Sequence, residues 1–166
     1  MPYLPGFGVL VTRTAEVLGN PAGANPSPRN LFRIAGGAVK VTLLVGRVTT
    51  LMDATASTLR LQHSNNTTFL CAALAAIADD DVETLYEISG DVADLMYKLE
   101  IGAAGAGRGG LHGGIAAGAG VIANGMDMMP GDIEELWTGD QDGAIQWTLC
   151  YLPITVGATV IAVYDL

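Results

Sequence analysis

The spacing of hydrophobic residues predicts a chain built from short β-strands. The clearest strand material is the stretch 31–51, in which Val39, Val41, Leu43 and Val45 recur at a spacing of two. This is the period of an extended strand, and β-branched residues are enriched in strands. Gly36-Gly37, just before the alternating run, indicates a turn.

Shorter alternating runs continue along the chain and are separated by turn-forming residues. They occupy 7–13, 58–63, 84–90, 95–101, 133–137, 144–154 and 158–164. Asp142-Gly143 supplies the residue pair that a tight hairpin turn demands. About nine short strands without a long helical pattern predict an all-β, single-domain antiparallel sandwich or barrel.

Three segments do not follow this pattern. Residues 1–30 contain a proline-rich stretch and predict an extended N-terminal arm, either lying across a neighbour or loose, with the β-domain occupying 31–166. Residues 102–125 hold ten glycines and predict a long loop inserted in that domain. The run 69–78 fits a helix by its alanines and a buried strand by its length, and the acidic residues after it favour the strand.

The composition indicates a chain that associates with other chains. Hydrophobic residues make up 50% of it and charged residues 15%, where globular domains average about 25% charged residues. A monomer of this composition would expose much apolar surface, so we expect a homo-oligomer or a larger assembly. The net charge of −9 and the scattered cations argue against nucleic acid and anionic membranes as partners.

The two cysteines, Cys71 and Cys150, each lie in an apolar run, and we expect both to be buried free thiols. The N-terminus shows no secretory signal, and the longest uncharged apolar run, 69–78, is too short to span a membrane as a helix. We therefore expect synthesis in a reducing cytoplasm.

The sequence offers no convincing catalytic, cofactor or metal site, and we expect none. The G-x-G-x-x-G match at 105–110 lies in a segment so rich in glycine that chance explains it, and the required helix does not follow. His63 and His112 are far apart and lack ligand spacing. Asp140 to Gly143 begins like a calcium loop, but the later ligands are missing.

The apolar residues near the predicted arm and the methionine cluster before Pro130 are the candidate contact residues. The methionines suit either core filling or contact with a neighbour, and both roles stay open at this point. Trp137 and Trp147 are expected to anchor the core, each donating its indole N–H to a strand carbonyl. The candidate interface residues are Phe7, Val9, Leu31, Phe32, Met126, Met128 and Met129.

The order of four segments resembles small structural proteins of tailed bacteriophages. The closing strands 144–162 read AIQWTLCYLPITVGATVIA, and 130–147 before them read PGDIEELWTGDQDGAIQW. The early hairpin is similar over 39–62, VKVTLLVGRVTTLMDATASTLRLQ, and the central segment over 68–91, TFLCAALAAIADDDVETLYEISGD. The likeness spans most of the chain, while the proline-rich arm and the glycine-rich stretch depart from a compact version of the pattern.

The resemblance implies a non-enzymatic virion protein that works by assembly. Such proteins are similar to capsid decoration (cement) proteins, commonly trimeric β-rich modules. The implied partners are other copies of the chain, as a homotrimer, and the major capsid protein or other virion proteins. The alternative is a role in the tail tube, tail tip, head fibre or host attachment. The family pattern supplies no catalytic residues.

Overall fold

The computed structural model describes residues 3–4, 8–22, 27–65, 68–99 and 121–164, and it confirms the predicted all-β class. These residues contain no helix, and so no helix long and apolar enough to span a membrane. Their thirteen strands are β1 (Tyr3–Leu4), β2 (Gly8–Thr12), β3 (Glu16–Gly19), β4 (Arg29–Ala35), β5 (Val39–Thr50), β6 (Leu59–His63), β7 (Thr68–Phe69), β8 (Leu85–Glu87), β9 (Tyr97–Leu99), β10 (Val121–Met128), β11 (Gly131–Trp137), β12 (Gln141–Pro153) and β13 (Thr159–Ala162).

The strands form two antiparallel sheets that enclose one hydrophobic core. The larger sheet has the order β1-β2-β12-β5-β8-β9, with β3 also pairing β12 and β10 also pairing β5. The smaller sheet has the order β13-β4-β11-β6-β7. Consecutive strands often lie in different sheets, so the chain repeatedly crosses the sandwich, as at Gly36-Gly37 between β4 and β5.

A bulge in β5 breaks the predicted alternation. Val39 and Val41 point into the core, but the pairing with β12 shifts by one residue between Val41 and Leu43. Leu44 therefore becomes the next core residue, and Leu43 and Val45 turn to the outer face of the larger sheet, the face away from the core. The alternation in the sequence predicted that Val39, Val41, Leu43 and Val45 share one face. This prediction is wrong for Leu43 and Val45.

The predicted arm contributes strands to the larger sheet. Both β2 and β3 pair with β12 of the same chain, Leu10 opposite Cys150 and Val17 opposite Ala144. The three prolines of 20–30 follow β3, so their missing N–H groups interrupt neither strand. β4 starts at Arg29, just inside the predicted arm boundary.

Two other local predictions are wrong. Asp142 and Gly143 lie inside β12 and form no hairpin turn, because β11 and β12 belong to different sheets. Gly143 is instead required by a close approach, since a Cβ there would lie 2.2 Å from the sulfur of Met52. The run 69–78 forms neither a helix nor one continuous strand. After β7 it makes only isolated bridges, at Ala72 and Leu74.

Most of the predicted glycine-rich loop, 102–120, lies outside the described residues. Its last five residues, 121–125, belong to β10, which pairs with β5.

Both cysteines are free and buried, as predicted. Cys71 belongs to the core, whereas Cys150 is buried on β12 opposite Leu10 and Leu43. Burial raises the pKa of both thiols, so little thiolate forms near neutral pH.

One buried carboxylate links the two sheets. Glu135 on β11 is completely buried and accepts a hydrogen bond from Arg29 Nε, with an Nε–Oε1 distance of 2.7 Å. A second guanidinium nitrogen of Arg29 donates to the same oxygen. Trp147, from β12 of the larger sheet, donates its indole N–H to the other oxygen at 2.7 Å. We call these three residues the Glu135 clamp.

The clamp also orders the neighbouring strand β3. Arg29 donates to the carbonyl of Val17 at 2.7 Å, and its guanidinium lies 5.0 Å from the ring centroid of Trp137. Trp137 donates its indole N–H to the carbonyl of Gly19 at 2.9 Å, as predicted. The predicted carbonyl partner for Trp147 is wrong, because its acceptor is the carboxylate of Glu135.

The two tryptophans therefore offer a matched test of the clamp. We expect Trp147→Phe to lower the free energy of unfolding by about 2 kcal/mol more than loss of ring volume alone, because it removes a donor from a buried charge. Trp137→Phe removes a bond to a neutral carbonyl, for which the expected loss is about 1 kcal/mol. Urea unfolding followed by circular dichroism measures both. A larger loss for Trp137→Phe would contradict the assigned role of Glu135.

Candidate functional site

A cleft opens where the ends of β6, β7 and β10 meet. Its volume is about 380 Å³, and most of the side chains that line it are apolar. We call it the methionine cleft, after the three methionines in its wall. Its lining residues are His63, Asn65, Phe69, Leu70, Val92, Met126, Asp127, Met128 and Met129.

Three consecutive residues at the end of β6 fix the turn between β10 and β11. His63 Nε2 lies 3.0 Å from the carbonyl oxygen of Met129, and the amide of Asn65 donates to the carbonyl of Pro130. Between them, Ser64 exchanges hydrogen bonds with the backbone of Asp132. The turn that carries Met129 is therefore held by the smaller sheet.

Gly131 lets this turn lie against His63. Its φ is +151°, and a Cβ would come within 2.5 Å of His63 Cε1. A side chain at 131 would push the imidazole ring out of the cleft wall.

The three methionines lie at different depths. Met128 is buried in the core, Met126 is half-buried and packs against it, and Met129 is 66% exposed. A thioether side chain is flexible and polarisable, so Met129 can adapt its shape to whatever enters the cleft. The two roles that the sequence left open are divided among them, with Met128 as core filler and Met129 on the surface.

The opposite walls come from short irregular segments. Phe69 is 38% exposed, and the guanidinium of Arg60 lies 3.6 Å from its ring centroid. Val92 is exposed on a turn in which Asp91 accepts a hydrogen bond from the Ala93 amide at 2.9 Å. Neither segment shows regular periodicity, so sequence reasoning gave no sign that they meet the methionines.

The polar groups of the cleft are already engaged. A carbonyl oxygen only accepts, so His63 carries its proton on Nε2 and donates it to Met129. Asp127 forms an ion pair with Lys40 at 2.6 Å. Over the described ranges, no group of three or more His, Cys, Asp or Glu side chains is placed to hold a metal ion. The cleft therefore offers mainly apolar contact surface to a ligand or a partner protein.

The structure sorts the candidate interface residues by burial. Leu31, Phe32 and Met128 are completely or almost completely buried in the core of the same chain, so they offer no surface to a partner. This corrects their assignment as interface residues, because their side chains on β4 and β10 belong to the core between the two sheets. Val9 and Met126 are half-buried against the core, and Met129 is exposed.

The remaining predicted features are only partly visible. His63 lies on β6, the strand predicted for it, and joins the cleft wall. Phe7, His112 and the G-x-G-x-x-G match at 105–110 lie outside the described residues.

Comparison with known proteins returns no relative. No family model matches the chain, and neither a curated protein nor a solved structure matches it.

Two neighbouring methionines test the division between core and surface. We expect Met128→Ala to lower the free energy of unfolding by about 3 kcal/mol, because it empties a buried site. Met129→Ala should change it by no more than about 0.5 kcal/mol, because that side chain is exposed. Thermal or urea unfolding of both variants measures the difference, and equal losses would place Met129 in the core.

Proposed function

We propose that this chain is a structural virion protein of a tailed bacteriophage, an oligomeric capsid decoration protein that stabilises the capsid lattice. The proposal makes it a non-enzymatic protein whose partners are other copies of itself, as a homotrimer, and the major capsid protein. It would be made in the host cytoplasm and act in the virion. The order of the segments 39–62, 68–91, 130–147 and 144–162 supports the phage assignment.

The observation that carries the assembly role is the exposed apolar surface around the methionine cleft. Met129 is 66% exposed, Val92 55% and Leu95, on the same segment as Val92, 57%. Apolar surface gathered beside a cleft is typical of a protein contact site. His63 and Asn65 hold the turn that carries Met129, so the rim of the cleft is already ordered before a partner arrives.

Apolar contacts of this kind suit a protein that binds a lattice in many copies. Burial is worth about 25 cal/mol per Å², so a few hundred Å² of apolar surface contribute several kcal/mol per copy before the cost of association. Any partner that binds the assembled form adds stability to that form by mass action. Cement proteins need modest affinity at each site, since the effect repeats over the whole lattice.

The alternative, a component of the tail or of a host-attachment structure, would use the same apolar contacts. It differs in where the chain resides in the particle, so the test must separate heads from tails.

Quantitative mass spectrometry of purified particles that encode the chain provides this test. We expect many copies per particle in the DNA-filled head fraction, in a fixed ratio to the major capsid protein. Recovery with purified tails would favour the alternative. Absence from particles, with the chain abundant in the infected-cell lysate, would overturn a virion role of either kind.

A matched pair of variants then tests the cleft itself. Met129→Glu adds a charge at the exposed rim, whereas Val156→Glu adds one at a side chain that is 99% exposed and does not line the cleft. We expect the first variant alone to be lost from heads, because a buried, unpaired charge opposes binding. Equal occupancy of heads by the two variants would exclude the cleft as the lattice contact.

A further inference from the structure

A lysine and an aspartate meet beside a tyrosine hydroxyl in the larger sheet. Lys98 on β9 donates from Nζ to Oδ1 of Asp80 at 2.7 Å. Tyr86 on β8, directly opposite Lys98 in the sheet, donates its hydroxyl to the other oxygen, Oδ2, at 2.6 Å. Both oxygens of one carboxylate are therefore held by side chains from two neighbouring strands. We call these three residues the Asp80 cluster.

Water has little access to this cluster. The side chain of Asp80 is 2% exposed and that of Lys98 21%, while Tyr86 is completely buried in the core. Taking an ammonium and a carboxylate out of water is costly, and their attraction does not always offset that cost. An amide between the two side chains carries no charge, so its formation would remove the cost of burying two ions.

The backbone fixes the position of Asp80 before any reaction. Asp79 donates its N–H to the carbonyl of Asp53 at 3.0 Å, and the carbonyl of Asp80 accepts from the N–H of Met52 at 3.1 Å. Asp79 and Glu83 have φ values of +60° and +74°, which residues other than glycine rarely adopt. Such conformations persist where the surrounding structure enforces them, and they cluster at functional sites. The carboxylate is thus held at contact distance from the ammonium.

The other lysine of the chain provides a comparison. The sequence contains two lysines, and Lys40 pairs with Asp127 at 2.6 Å, almost the same distance as in the Asp80 cluster. The side chains of this second pair are 36% and 66% exposed, so both charges remain solvated. Proximity is therefore common to the two lysines, and burial is what distinguishes them.

We propose that Lys98 and Asp80 form an amide bond with each other, an intramolecular cross-link that the folded chain makes by itself. The bond from Nζ to Cγ forms as two protons pass from the ammonium to Oδ1, and the Cγ–Oδ1 bond breaks to release one water molecule. Oδ2 remains as the amide oxygen, and Tyr86 donates to it while it carries the developing negative charge. Groups held in contact react far faster than free ones, because their relative motion is already lost.

The cross-link would tie the edge strand β9 to the loop that precedes β8. An amide does not open when the surrounding hydrogen bonds are broken, so it would hold this edge of the sheet under force or heat. This role adds to the proposed function and does not depend on which partner the chain binds.

Tryptic mapping of the purified full chain, digested after denaturation, tests the cross-link. Trypsin cleaves after a lysine only when its ammonium is free. We therefore expect no cleavage after Lys98, so that 61–98 and 99–108 stay in one peptide whose mass is lower by one water molecule. Cleavage after Lys40 should be complete, which makes the exposed lysine an internal control.

Two variants separate the reaction from a merely structural role. Lys98→Arg keeps a cation beside Asp80 but removes the amine, so the peptide that contains Asp80 should have its full mass. Tyr86→Phe keeps both reacting groups and removes one donor to the developing charge, so the cross-link should form about tenfold more slowly or worse. Mass spectrometry over a time course of cell-free synthesis measures this rate, and circular dichroism confirms the fold of each variant.

Complete cleavage after Lys98 in the folded wild-type chain, with 61–98 at its full mass, would overturn the cross-link. A missing water located in 109–166 would do the same, because Asp142-Gly143 can lose water as a cyclic imide. Both results would leave the proposed function standing, since its tests measure association and location in the particle.

Discussion

The fold depends on the carboxylate of Glu135, which is buried between the sheets and shared by them. Arg29 neutralises it from the smaller sheet, and Trp147 donates to it from the larger one. A buried charge is costly unless its partners stay in place, so this group tolerates few arrangements of the two sheets. Arg29 also lies against Trp137 and binds the carbonyl of Val17, which extends the constraint to β3. The clamp thus fixes how the sheets stack, and the apolar core fills the space that this leaves.

Much of the fold could be predicted because strand periodicity is a local property. The segments 58–63, 133–137 and 144–154 show it clearly, and each forms a strand. The bulge in β5 could not be predicted, since it arises from pairing with a distant strand and leaves no mark in the sequence of β5. That one-residue shift turns Leu43 and Val45 outward. The partner of Trp147 could not be predicted either. The two-residue spacing puts Glu135 on the same face as Ile133 and Trp137, but it does not show which side chain of the other sheet meets that carboxylate.

Only one wall of the candidate site, the methionine cluster, could be predicted from the sequence. The methionine cluster stands out in the sequence, but its depth does not, because Met128 and Met129 are neighbours with opposite environments. The facing walls come from segments without periodicity, at Phe69 and Val92, and only the tertiary structure brings them to His63.

The composition was informative in another way. Its apolar excess is more than the core absorbs, and part of the surplus lies around the methionine cleft, at Phe69, Val92 and Met129.

The central claim is that the chain works by assembly and associates with other copies of itself. The mass of the purified wild-type protein in solution, measured by light scattering on a sizing column, tests it most directly. The account predicts a single species near three times the 17.1 kDa of one chain. A stable species at the mass of one chain, unchanged at the highest attainable concentration, would contradict it.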